Sequence, residues 1–561
     1  MISRELTIVA KHSRALPALA VVAMASWVAV TAARENGRRF YDDDPIAREP
    51  ETQDASKAEE WEIDLLIDLG MNLFGRPGDS AENVRARNVN TIDEVPDSSW
   101  FTNRVLGQPL SARELARGPL VGDGPAPGQW TIVAPKGAGV APGFTMRDSR
   151  KELWFVSFDA NGFSEAATGA IAVASRLFWA LGYWQSENHL VSVRPEQMII
   201  DPTAKFRPPS GKVRTMRQDD LDKVLRRAHQ SPDGSYRAIA ARALPGRPIG
   251  GFRYYGTRPD DPNDVVPHEH RRELRALKVF GAWANLVDMK AGNTLDTVIV
   301  ENGRGLVRHY LQDVGSTFGT GALGPREYDE GWEYLYDPGP TMKRLISLGF
   351  NLSPWQTVQY HEVPQIGRFE GEAFDPAAWR PRAATAAFRR ARLDDTFWAA
   401  RRVAAFSEDM IKTMVRTAEY SNPSADVILT NVLMQRRQKI LALYLTAINP
   451  LVNFTLSANG ELSFGNAAVD AGVAAAPAGG YRASWALFDN TTGQATPLAT
   501  PTTSTGTTVA APAALPSTPG SYVQVEVVAV DPAPAPWLQP VTVHFRRNGT
   551  NWSLVGLERL P

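Results

Sequence analysis

Apolar residues recur at helical spacing over Leu274, Leu277, Phe280, Ala284 and Val287, and then the period changes. Residues 294–300 are rich in β-branched side chains, residues 301–305 (ENGRG) carry turn chemistry, and residues 306–312 form a second strand-like run. The pattern predicts a helix followed by a β-hairpin. Gly303 lies midway between Asn293 and Asp313, so a turn near it carries both residues back to one end of the ribbon. Asp288 stands one short loop before Asn293. Two carboxylates and a carboxamide are therefore expected at a shared mouth, on oxygens of the kind that bind Mg²⁺.

The same periodicities order the rest of the chain. Residues 35–57 are polar and acidic, a linker or extended arm. Residues 61–74 predict a short helix that must dock through Leu65, Leu66, Ile67, Leu69 and Leu73. Trp100 and Phe101, in a turn-rich stretch, are expected to anchor the segment on a larger body. Strands are predicted at 130–134, 144–148 and 152–159, with a glycine-rich loop (PKGAGVAPG, 135–143) after the first. Gly137, Gly139 and Gly143 would let backbone N–H groups approach phosphate. Lys136, in the same loop, is read either as a phosphate-reaching cation or as a solvated loop lysine.

A helix comes next, with Ser164 as N-cap, Gly182 at its end, and Ile171, Ala174, Leu177, Phe178 and Leu181 on its apolar face. Residues 236–244 predict one more strand, and residues 331–340 are aromatic and turn-rich. Further helices are expected at 395–406, after Ser407, and at 424–446. From Leu451 the pattern alternates in short runs, with Asn-Gly turns at 459–460 and 548–549, and predicts a small all-β domain. Within it, residues 495–520 are Thr/Pro/Ala-rich and read as a long loop.

Composition narrows the classes. The 561 residues carry a formal net charge of −1, so nucleic-acid binding has no electrostatic support. There is no cysteine, which removes disulfides, zinc–thiolate sites and thiol nucleophiles. Arg4, Lys11 and Arg14 precede an apolar run over 15–33 with a small-residue Val30-Thr31-Ala32. That segment is read as a cleaved signal peptide or a retained anchor. Either exports the remainder, to the periplasm or to its face of the inner membrane, and confines membrane contact to this segment.

Asp288-Met-Lys290-Ala-Gly-Asn293 resembles the D-x-K-x-x-N spacing of a protein-kinase catalytic loop, and Asp313-Val314-Gly315 resembles the metal-binding D-F-G with Val for Phe. The order helix, loop, hairpin, DxG is also the kinase order. Leu286 and Val287 stand where His-Arg precedes the kinase Asp. The likeness is therefore to the atypical branch: HipA-like, spore-coat CotH-like and secretory-pathway casein kinases. It spans residues 130–450 at most and is specific within 288–315.

The resemblance implies an α+β, two-lobed protein-kinase-like fold with a C-terminal all-β, sandwich-like domain. Its parts would be a signal or anchor (1–33), a linker and extension (34–128), a small lobe (129–250), a large lobe (251–450) and the β domain (451–561). It implies ATP and Mg²⁺ as cofactors and a protein or small-molecule hydroxyl as acceptor. Asp288 would take the hydroxyl proton, Lys290 would steady the phosphoryl group, and Asn293 and Asp313 would hold the metal. Lys136, Gly137, Gly139 and Gly143 would meet the phosphates.

Two kinase groups are missing. Ser157 aligns with the third-strand lysine, and Ile171 lies where its helix glutamate is expected, with Glu165 only at the helix start. Removing one member of a buried ion pair costs about 3–5 kcal/mol, whereas removing both need not. The pair is read as lost together. A preorganised donor is typically worth about 10²–10³ in rate, so one reading is a slow phosphotransferase. The other is a catalytically inactive kinase-like binding or structural module of the cell envelope, which suits a periplasm without a general ATP supply.

Overall fold

The structure, a computed structural model, describes residues 37–137, 139–208, 211–347, 350 and 352–560. The apolar run at 15–33 lies outside these residues. Among the described residues no helix is long and apolar enough to cross a membrane.

The chain is a mixture of helices and several sheets. Helix α1 (Leu65–Phe74) precedes a sheet built from β1 (Trp130–Pro135), β2 (Gly143–Arg147), β3 (Leu153–Phe158), β4 (Asn188–Val193), β5 (Met198–Ile200) and β6 (Tyr236–Arg242), in the order β4-β6-β3-β2-β1-β5. Neighbours are antiparallel except β1 and β5. Large apolar side chains such as Ile132, Met146, Trp154 and Val156 alternate inward and form a core of their own.

Helix α2 (Ala166–Leu181) is buried almost all round. The sequence placed its cap at Ser164, but Glu165 is the capping position and its own side chain does not cap. Asp159 caps instead, from the end of β3: its carboxylate accepts from the Glu165 and Thr168 amides at 2.9 Å and from the Thr168 hydroxyl at 2.7 Å. The helix ends at Gly182, φ 123°, where a Cβ would stand 2.1 Å from the Phe101 ring. Phe101 and Trp100 are fully buried, as anchors should be.

A second sheet joins β7 (Arg247–Pro248), β8 (Leu295–Glu301) and β9 (Arg304–Tyr310) in the order β9-β8-β7. Asn302 and Gly303 connect the predicted hairpin with φ of 51° and 76°, the geometry that matches a two-residue turn to strand twist. The preceding helix α3 (Leu277–Ala284) is entirely apolar and packs with α4 (Leu393–Ala404) and α5 (Pro423–Tyr444) apart from Lys278 at its edge.

The C-terminal region is two sheets. One pairs Leu451–Leu456, Glu461–Asn466 and Thr508–Ala510; the other is six-stranded around Tyr481–Phe488, Tyr522–Ala529, Val541–Asn548 and Asn551–Glu558. Residues 495–520, expected as a loop, supply short edge strands to both. One apolar cluster runs from α2 and α3 through α5 into these sheets, so the β region shares a core with the body. The acidic arm is docked: Phe40 packs on Phe488, Tyr522 and His544, and Ala55 and Ala58 pack against the hairpin.

Candidate active site

The loop from Asp288 to Asn293 ends in a short turn, Ala291–Asn293, that feeds directly into β8. Asn293 ties the site together. Its side-chain amide donates to the Asp288 carbonyl at 2.7 Å, and its own carbonyl accepts from the Asp313 amide at 3.0 Å. The hairpin thus returns Asp313 beside Asn293, as the spacing required. The Gly315 amide donates to Asp313 Oδ1 at 2.9 Å and fixes that side chain. Val314 is buried, while Asp313 is exposed at the mouth. Lys290 Nζ lies 2.8 Å from Asp288 Oδ2, and both side chains reach solvent. Behind the loop, Leu286 and Val287 are fully buried.

The donor set suits a hard divalent cation. Asn293 spends its nitrogen on Asp288 and leaves its amide oxygen for a ligand; Asp313 keeps its second carboxylate oxygen. Among the described residues no group of three or more His, Cys, Asp or Glu forms a metal site. A cation here would therefore take its remaining ligands from phosphate and water, as Mg²⁺ does at nucleotide sites.

The glycines of the glycine-rich loop have unlike surroundings. Gly137 has open space around it, and so has room for a ligand. Gly139 and Gly143 instead border Lys136: a Cβ on either would stand 3.8 Å from Nζ and 3.3 Å from Cδ respectively. Lys136 Nζ donates to Ser157 Oγ at 2.9 Å. The residue keeps contact with solvent, yet burial of its ammonium under the loop draws it below the usual lysine value, and the field of Asp313 opposes that shift. Ile171 occupies the helix position facing the DxG segment, where a Cβ on Gly315 would be 3.1 Å from its side chain.

Sequence reasoning missed the contribution of α1. Leu65 covers the loop, so that a Cβ on Gly292 would lie 3.0 Å from it. The buried residues of α1 are Asp68 and Asn72. Asp68 lies beside the Tyr255 hydroxyl and Arg253; burial holds its carboxyl above the ordinary value. Tyr254, fully buried, is pushed up by burial and by the carboxylates of Asp68 and Asp288, which places all three groups around one end of the site. Asp68 Oδ1, Asn72 Oδ1 and the Tyr254 hydroxyl have no hydrogen-bond partner. The only signal in the sequence was two polar residues four apart in an otherwise apolar helix.

No protein-family model matches the chain, and no curated protein matches it. Among solved structures, the crystal structure of the Golgi casein kinase with Mn/ADP bound aligns over 59% of this chain and 75% of that one, at 8% identity and a TM-score of 0.26. A likeness of that size carries no functional weight.

Proposed function

We propose that the chain is an exported, atypical kinase-like protein that binds ATP with Mg²⁺ and transfers a phosphoryl group to a hydroxyl of a protein or small molecule. In this reading the β1–β6 sheet with α2 is the small lobe, and the helices from α3 to α5 form the large one. The observation that carries it is Asn293, bonded through its side chain to Asp288 and through its backbone to Asp313. The side-chain bond is to the Asp288 backbone carbonyl, so these contacts hold the backbones of Asp288 and Asp313 next to Asn293. That supports a site with a proton acceptor near metal-type oxygens, as phosphoryl transfer needs. A divalent cation held by Asn293 and Asp313 would offset phosphate charge. Asp288 is the base for the acceptor hydroxyl, and Lys290, already paired with it at 2.8 Å, adds positive charge where the phosphoryl group passes.

The test is a titration of ATP analogues, with and without Mg²⁺, against the whole chain and Asp313→Ala. Mg²⁺-dependent binding that Asp313→Ala removes is the expected result; no binding, or binding indifferent to Asp313, overturns the proposal. The absent third-strand lysine and helix acid favour a second reading, an inactive kinase-like module of the cell envelope. Phosphoryl transfer, including autophosphorylation, that Asp288→Asn abolishes would exclude it.

A further inference from the structure

We propose that Lys136 has taken over the phosphate contact of the missing third-strand lysine, and that Gly143 and Ser157 are the positioning residues that seat it. This role rests on the nucleotide-binding function proposed above and deepens it.

Strand register supplies the geometry. Pro135 pairs with Phe144 across β1 and β2, which brings the next residue, Lys136, level with Gly143. Gly143 in turn pairs with Ser157 across β2 and β3. Lys136, Gly143 and Ser157 therefore stand in one row over three adjacent strands. The lysine side chain crosses the row above Gly143, where a Cβ would lie 3.3 Å from Lys136 Cδ and 2.2 Å from the Val156 carbonyl oxygen. Only glycine leaves that path open. At the far end the ammonium is received by Ser157 Oγ at 2.9 Å. Its charge thus sits over β3 beside position 157, on the side from which a lysine rooted there would extend, with Asp313 as the carboxylate acting on it.

The replacement also explains the lost glutamate. A lysine rooted on β3 is held in place by an acid on the neighbouring helix. Lys136 is held by a serine on the sheet itself, so α2 needs no acid, and Ile171 can pack against Gly315. The cation stays in position whatever α2 does. Serine is neutral, so it orients the ammonium without neutralising it and leaves its charge for a phosphate.

The experiment measures binding of a fluorescent ADP analogue with Mg²⁺ to the full chain. Lys136→Ala is expected to weaken binding about ten- to a hundredfold, the worth of a charged hydrogen bond. Ser157→Ala should weaken it less, about threefold, because the lysine remains but loses its seat. The deciding variant is Lys136→Ala combined with Ser157→Lys, which returns the cation to β3 and should recover most of the lost affinity. A merely structural role for Lys136 would not be rescued from another strand. Each variant should melt within about 1 °C of wild type, since none sits in the core. If wild type binds and Lys136→Ala binds equally well, the role of Lys136 alone falls. No recovery in the double variant overturns the claim that Lys136 stands in for a lysine at position 157. A wild type that binds nothing removes the proposed function, and the role of Lys136 with it.

Discussion

Two helices border the site, and they are built on opposite rules. Helix α2 buries Val173, Leu177, Phe178 and Leu181 in the main apolar cluster and is capped by a buried carboxylate. Helix α1 is inverted. It buries Asp68 and Asn72, and leaves Leu66 82%, Ile67 62% and Phe74 69% exposed. Its attachments are mostly polar: Arg389 donates to the Asn72 carbonyl at 2.5 Å and to the Gly75 carbonyl at 3.1 Å, and Asp68 meets the Tyr255 hydroxyl, while the apolar contacts are Leu65 on Gly292 and Phe74 against the Tyr336 ring at 5.0 Å between centroids. Burial of apolar surface is the main source of stability. The helix that packs Ile171 against Gly315 is thus fixed in the core, while the helix covering the 288–293 loop is held by less apolar surface and belongs to the low-stability end of the fold.

The same substitution should separate the two with opposite signs. Gly169 in α2 has no room for a methyl group, since a Cβ there would stand 2.4 Å from the Tyr420 ring. Gly169→Ala is expected to cost about 1–3 kcal/mol, as overpacking does. It should show as a lower urea midpoint with an unchanged slope. Gly70 in α1 has nothing within 4 Å of its Cβ position. Gly70→Ala should add about 0.5–1 kcal/mol of helix stability, read as slower hydrogen exchange across α1. Equal losses at both positions would show that α1 is packed as tightly as α2, and the contrast would fail. Smaller still is Leu66→Ser: at 82% exposure it should change global stability by less than about 0.5 kcal/mol. A loss above about 1 kcal/mol would mean that the residue is covered in the folded protein.

Legibility from sequence divides along the same line. The hairpin could be read because β-branched runs and an Asn-Gly turn act locally, and because Asn293 and Asp313 lie equally far from that turn. Trp100 and Phe101 could be read because aromatic residues that large are costly to leave in water. The face of α1 could not. Periodicity reports that a helix has two sides, and the polar side here turns inward onto the Tyr255 hydroxyl and Arg253, which act on Asp68. The path of Lys136 over Gly143 was hidden too, since it depends on register across three strands. Helix Pro338–Ile346 begins inside the stretch 331–340, which reads as aromatic and turn-rich, and the prolines there sit in its first turn, a position that suits proline. The strands within 495–520 pair through backbone at sheet edges and carry no apolar alternation to announce them.

Asp68 offers the finest test of the contrast, through pH. Burial raises its carboxyl above the ordinary value near 3.8, and neither Arg253 nor the Tyr255 hydroxyl reverses the shift. The sign is fixed by linkage. Well below pH 3.8 both folded and unfolded chains hold the proton, and Asp68 contributes no pH dependence. As pH rises past that value the unfolded chain releases its proton first, while the folded chain keeps it. The folded state then binds more protons, and stability falls until the raised folded value is passed, after which it is level. The docking of α1 should therefore weaken as pH climbs above about 4, the ordinary carboxylate value. Asp68→Asn removes the titration while keeping the shape, so the difference in melting temperature between wild type and variant should grow in the variant's favour across that range. A difference that stays flat, or grows the other way, would mean that Asp68 is satisfied as a carboxylate. The inverted helix would then be as firmly held as its neighbour, by charge where α2 uses apolar surface.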